Sequence, residues 1–275
     1  MTPATAPAPL DLSPAGAGGP ASPHGRASRA ARQGLVEVRL QVRNGEQLLL
    51  SLLIPVAVLV VGRFFAGGLI SFAELAPSVL ALALWSSGFT APAIATGFER
   101  QYGVLERLAA TPLRRSGLIA GKTLGVALIA TGQLVVLGAL ALALGWRPAA
   151  GVAGTVVVAL TSLGAMASFV AAALVMAGRL RAEITLALAN VCHLVFAAAG
   201  GILMPARWWP EPVTVAVSLL PTGALGEAWR QFSVGATATG GIGEAWLFGW
   251  WPVAVVAAWA AGLTVLASKG FRWLA

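Results

Sequence analysis

The stretch "RRSGLIAGKT", Arg114 to Thr123, and the run that follows it, "LGVALIATGQLVVLGALALALGWR", Leu124 to Arg147, decide between two folds. Gly121-Lys122-Thr123 imitates the end of a phosphate-binding loop, GxxxxGK[ST], which belongs to nucleotide hydrolases. That pattern needs a Gly where this chain has Ser116. It also needs a buried strand before the loop and an Asp at the end of another strand to hold magnesium, and the sequence offers neither. Gly117, Gly121 and Gly125 instead recur at every fourth position, a spacing that lets a second helix approach closely. No charge interrupts the chain between Lys122 and Arg147, and a membrane helix needs about 20 apolar residues. The stretch reads as the start of a membrane span, with Lys122 an interfacial lysine at its cytoplasmic end.

Composition extends that reading to the whole chain. Of 275 residues, 58% are hydrophobic and 10% charged, where a soluble domain carries about 25% charged residues. The mean hydropathy is +0.83. The net charge of +8 would suggest nucleic acid in a soluble protein, but in a membrane protein the distribution of basic residues carries more information. No nucleic-acid partner is expected. The single cysteine, Cys192, excludes an intramolecular disulfide.

Charged residues mark the limits of six uncharged intervals: Glu46 to Arg63, Glu74 to Glu99, Lys122 to Arg147, Arg147 to Arg179, Glu183 to Arg207 and Glu244 to Lys269. The expected fold is an all-α polytopic membrane protein with six transmembrane helices and both termini on one side. Placing the termini in the cytoplasm puts fourteen of the eighteen basic residues inside and leaves Arg63, Arg147, Arg207 and Arg230 outside. The positive-inside rule favours that orientation.

Two flanking regions read differently. Residues 1–30 are rich in Pro, Ala, Gly and Ser and are expected to form a disordered cytoplasmic tail, which leaves 31–275 as the six-span domain. "VEVRLQVR", Val36 to Arg43, alternates with period two like a strand, yet a lone strand beside a bilayer lacks a partner, so an interfacial helix is expected. Before the last span, residues 204–243 are expected to form an extracellular re-entrant or interfacial hairpin. Its apolar part, Pro212 to Leu220, is too short to cross and is closed by Pro221 and Glu227. Trp208, Trp209, Trp246, Trp250 and Trp251 suit an aromatic belt at the outer headgroup level.

Between spans two and three lies "GFERQYGVLERLAATPLRRSGLIAGK", Gly97 to Lys122, the most charged part of the membrane domain. Leu105, Leu108 and Ala109 recur at helical spacing while Arg100 and Arg107 lie on another arc, and Pro112 ends the pattern. A short amphipathic helix along the cytoplasmic surface is expected.

Glu99-Arg100, Gly103, Leu105-Glu106, Leu108, Thr111-Pro112 and Gly121-Lys122 resemble a block of the type 2 ABC transporter permeases, the group that includes daunorubicin-type exporters. "MPARWWPEPVTVAVSLLPTGALGEAWRQF", Met204 to Phe232, is similar to that family's region before the last span. Gln101, Tyr102 and Val104 depart from the pattern. The resemblance implies the membrane subunit of an ATP-driven exporter of an amphiphilic drug-like or lipid-like substrate, in the plasma membrane of a bacterium. It implies a second permease chain, identical or related, and two copies of an ABC ATPase that carries the ATP and Mg; this chain would bind no cofactor itself. It also implies that the segment 97–116 contains a coupling helix, with Glu99, Arg100, Tyr102, Glu106 and Arg107 facing the ATPase and Arg114 and Arg115 near its surface. For Arg114 and Arg115 a purely topogenic role is equally open.

Within span five, Asn190 and His193 serve either helix packing or the substrate path. Met166, Phe169 and Met176 read as core. An intramembrane enzyme would have to use Ser86 or Ser87 with His193, without the local sequence that activates a serine, so no enzymatic activity is expected. A secondary transporter or a membrane scaffold that does not use ATP is the alternative, but the sequence shows neither internal repeats nor charges at the centre of the spans.

Overall fold

The computed structural model describes residues 23–43, 45–65, 71–110, 115–234 and 249–270. Among them the chain is all-helical. Helix α1 spans Pro23–Arg43 and α2 spans Gly45–Phe65. Next come α3 (Phe72–Trp85), a π-helical turn (Ser86–Thr90) and α4 (Ala91–Gln101), which together form one continuous rod. The short α5 (Val104–Ala109) precedes α6 (Arg115–Ala143), α7 (Val152–Ala177) and α8 (Ala182–Ala198). A 3-10 turn (Ala206–Trp208), α9 (Glu211–Ser218), α10 (Pro221–Val234) and α11 (Trp251–Gly270) complete it.

Four helical segments are long and apolar enough to cross a membrane: Phe72–Gln101, Ser116–Ala143, Val152–Ala177 and Trp251–Lys269. Two shorter apolar helices, Ser51–Phe65 and Ala182–Ala198, occupy the other two expected intervals. The 17 residues of α8 reach about 25 Å at 1.5 Å per residue, short of a hydrocarbon core of about 30 Å. The expected interval ran on to Arg207, but the helix stops at Ala198 because the chain must turn at Gly200-Gly201. Gly201 has φ +85°, and a Cβ there would lie 2.7 Å from Gly223 Cα. Only glycine fits that crossing.

Three expectations are corrected. The tail expected to be disordered through residue 30 gives way to helix at Pro23, where Pro and a run of Ala and Arg favour helix over the Pro/Gly-rich composition upstream. Residues 1–22 lie outside the described part. Glu227 does not close the apolar stretch: α9 ends at Ser218 ahead of Pro221, which opens α10 where its missing N–H is harmless, and Glu227 lies buried inside that second helix. Trp251 is buried in the core, so it cannot anchor a surface belt, while Trp208 and Trp250 are exposed. Trp246, Arg272 and residues 235–243 of the expected hairpin are outside the described residues. The segment Val36 to Arg43 is helical, as expected of it, despite its period-two pattern.

The core forms where the π turn meets α6, α7 and α8. Trp85 stacks on Phe89 with centroids 4.5 Å apart and meets Phe169 edge-on at 4.8 Å, while Met166 is buried beside them. α7 packs most extensively on α11, and α10 is wedged against α3 and α7. At its far end the loop from α6 to α7 is tied to α10 by Ala149 N–H to Ser233 O (2.9 Å) and Ala150 N–H to Phe232 O (3.1 Å). Trp146 Nε1 donates to Ser233 Oγ at 2.7 Å.

Candidate functional site: the charged end of the bundle

α1 lies along α6, and the contact is close because both helices carry glycine there. A Cβ on Gly125 would sit 2.8 Å from Glu37 Cβ and 3.0 Å from Gly34 O. The small-residue spacing read from the sequence therefore has a partner, α1, joined through Gly34. The close approach brings Glu37 over Lys122. Lys122 Nζ is 3.0 Å from Glu37 Oε1 and 2.9 Å from both carboxylate oxygens of Glu99, so one ammonium ties α1, α4 and α6 together. Gln33 Nε2 donates to Glu37 Oε1 at 3.0 Å and holds that carboxylate from behind.

Lys122 is 2% exposed. The expectation of an interfacial lysine with its head in water is corrected: the ammonium is buried and its charge is met by two carboxylates. Local sequence could not show this, because Glu37 is contributed by a helix outside the loop and span on which Lys122 was read. Lys122 is also committed to those carboxylates within a continuous helix, which leaves no phosphate loop at Gly121-Lys122-Thr123.

The predicted coupling residues divide into two groups. Glu99 and Arg100 turn inward. Arg100 donates from one terminal nitrogen to Ala177 O (3.1 Å) and Leu180 O (3.4 Å), bonding α4 to the turn between α7 and α8. Gln101 reinforces that joint by donating to Glu183 Oε1 at 2.9 Å. Beyond it the chain reverses at Tyr102-Gly103, with Gly103 at φ +69°, a conformation that costs glycine nothing. α5 then lies across the bundle end. Leu105 is fully buried and Leu108 half-buried, so they pin the helix, while Tyr102, Glu106 and Arg107 are exposed. Phe98 stacks on Tyr102 at 6.1 Å. Arg114, with Thr111 and Pro112, lies outside the described residues, and Arg115 is the first residue of α6.

Asn190 and His193 are not part of this end. Asn190 Nδ2 donates to Leu186 O one turn earlier in its own helix and is exposed. His193 is half-buried, its Nδ1 3.1 Å from Thr90 Oγ1, and its carbonyl accepts from Trp85 Nε1 at 3.3 Å. The first contact joins α8 to the π turn and the second joins it to the end of α3. Ser86 and Ser87 lie on that turn, and Ser87 donates to Gln133 rather than to His193.

A second charged cluster, absent from the sequence reading, is centred on Arg230 of α10. Its guanidinium is fully buried and donates to Gly201 O (2.7 Å), Ile202 O (3.0 Å), Ser78 Oγ (3.4 Å) and Glu227 Oε2 (3.4 Å). Burial pulls the guanidinium down from its ordinary pKa and the Glu227 carboxylate opposes that shift. Arg207 and Glu74 form an ion pair nearby. Among the described residues no group of three or more His, Cys, Asp or Glu could hold a metal ion.

A helical chain with several membrane-length apolar segments, and a charged segment at one end, is a multi-pass membrane protein. The model of the ABC-2 type transporter family matches residues 36–218, about two thirds of the chain, and the chain belongs to that family. It is the permease component, which is not itself an ATPase, and permeases of this family work with an ATPase subunit in a bilayer. A search of curated proteins returns no significant match.

Proposed function

We propose that this chain is the membrane subunit of an ATP-driven exporter that moves an amphiphilic, drug-like or lipid-like substrate across the plasma membrane of a bacterium, as the daunorubicin-type exporters do. It works as a pair of permease chains with two copies of an ATPase subunit that carries the ATP and Mg. The observation that carries the reading is the split within the coupling segment. Glu106 and Arg107 are exposed on a short, pinned helix and Tyr102 is exposed at the turn before it, while Glu99 and Arg100, a few residues earlier, are bonded into α6 and the α7–α8 turn. A force applied to α5 reaches three helices through two polar joints. α5 and its exposed residues are the docking element, and Glu99 and Arg100 transmit its displacement.

The test is purification of the full chain in detergent from cells that express it with its native neighbours. An ATPase subunit should copurify, and its hydrolysis should rise when the pair is reconstituted in lipid. Transport driven by a proton gradient with no ATPase bound would overturn the proposal in favour of a secondary transporter.

A further inference from the structure

We infer that the permease holds a site for a neutral, hydroxyl-bearing head group. A cavity of about 50 Å³ opens among Gln41 of α1, Ser51 of α2, Ser86 and Ser87 of the π turn, and Gln133 of α6, with Val126 and Ile129 as its apolar wall. Five hydroxyl and carboxamide side chains from four elements thus converge among apolar helices, where each would otherwise cost free energy. Gln133, 6% exposed, is fixed at both ends of its amide: Ser87 Oγ donates to Oε1, and Nε2 donates to Ser51 Oγ at 2.8 Å. The side chains of Gln41 and Ser86 face the same cavity and have no hydrogen-bond partner among the described residues. A rigid amide cradle beside two unpartnered polar groups is a recognition surface with donors and acceptors to spare. Ser86 and Ser87, both on the π turn, line the cavity, and such turns are frequent at functional sites.

The chemistry narrows the ligand. No charged side chain lines the cavity: Arg39 and Arg43, two residues either side of Gln41 on α1, are exposed and outside its lining, and Glu37 and Lys122, about one turn from it, pair with each other. An ionic head is therefore disfavoured. The volume is far below the about 300 Å³ of even a small drug pocket, so the site takes one polar substituent while the apolar body stays outside. A hydroxymethyl group or vicinal diol of an amphiphile fits both limits. Its source is either a bilayer lipid or the transported molecule. The inference needs the chain to sit in lipid and does not depend on ATPase coupling.

The test uses the full chain in a zwitterionic detergent, with 1-monooleoylglycerol as the probe and methyl oleate, which has the same acyl chain and no hydroxyl, as the control. The monoglyceride should raise the unfolding temperature and methyl oleate should not. Ser86→Ala should at least halve the rise, and Gln133→Leu should abolish it. Gln41→Leu, on the cavity rim, provides a readout even where Gln133→Leu does not fold. A rise equal for the two probes, no rise in the unaltered protein because water alone fills the cavity, or a rise unchanged in Ser86→Ala and Gln41→Leu would each overturn the site. In vesicles with the ATPase subunit, ATP-dependent loss of the monoglyceride makes it cargo and retention makes it a resident lipid. Both results keep the site.

Discussion

Two buried cations, Lys122 and Arg230, each hold a charged cluster among the described residues, and their surroundings differ. Arg230 sits inside α10, is sealed on all sides, and spends its guanidinium on backbone carbonyls of the turn after α8, a serine of α3 and a carboxylate of its own helix. Lys122 has no carbonyl partner among the described residues. It bridges carboxylates from two other helices, Glu37 and Glu99, which remain partly exposed at 13% and 21%. A fork of fixed donors suits a joint that must not move, and a compact ammonium between two flexible carboxylates suits one that can be re-made in another geometry. The Arg230 cluster fixes the fold, and the Lys122 cluster connects the fold to the segment that projects from it.

The largest effect expected from that contrast is at Arg230. Arg230→Met leaves Glu227 buried without a counter-ion and two carbonyls without donors, and should cost about 3–5 kcal/mol of stability in a denaturant titration. The double change Arg230→Met with Glu227→Leu should recover most of the loss, since a paired removal leaves no charge behind. Lys122→Met should cost less, toward about 3 kcal/mol, because water reaches the stranded carboxylates. Adding Glu99→Gln should restore part of it. Equal losses at the two lysine and arginine positions would remove the distinction between a fixed and an adjustable joint.

A smaller effect tests the contact that places Glu37 over Lys122. Gly125→Val drives a side chain into Glu37 Cβ and Gly34 O, so α1 must lift from α6 at a cost of about 1–3 kcal/mol. The informative readout is a cysteine pair placed on α1 and α6, whose crosslinking should fall in the variant. Unchanged crosslinking would show that α1 is held by something other than this crossing.

How much of this could be read from sequence depends on the range of the interaction. Helix positions followed from uncharged intervals and from apolar spacing around Leu105 and Leu108, because those signals are local. The glycine repeat on α6 announced a close helix contact, but nothing in it named α1 or Gly34 as the partner. The two ion clusters were invisible for the same reason: Glu37 lies 85 residues before Lys122, and Ser78 lies 152 before Arg230. α10 lies within the stretch expected as a re-entrant or interfacial hairpin, but the partners of its polar groups on α3 and on the turn after α8 are too far away in sequence to be read from it. The residue types of the predicted coupling residues were suggestive, but only the chain reversal at Tyr102-Gly103 separates Glu99 and Arg100, which bond inward, from Tyr102, Glu106 and Arg107, which are exposed.

That separation gives the smallest expected effect on the fold and the most selective one on function. Glu106 and Arg107 are exposed, so Glu106→Arg or Arg107→Glu should change stability by no more than about 0.5 kcal/mol. The same changes should weaken capture of the ATPase subunit and lower substrate-stimulated ATP hydrolysis at least ten-fold, because a reversed charge at a docked surface is repelled rather than merely unpaired. Arg100→Ala should show the opposite pattern. The ATPase should still bind, since Arg100 is turned away toward Ala177 and Leu180, but stimulation should fall as the joint to the α7–α8 turn is lost. A variant set in which Arg100→Ala abolished binding and Glu106→Arg left both readouts intact would put the docking surface on α4 instead of α5. The two polar joints would then be contact residues, and no mechanical link between them would be needed.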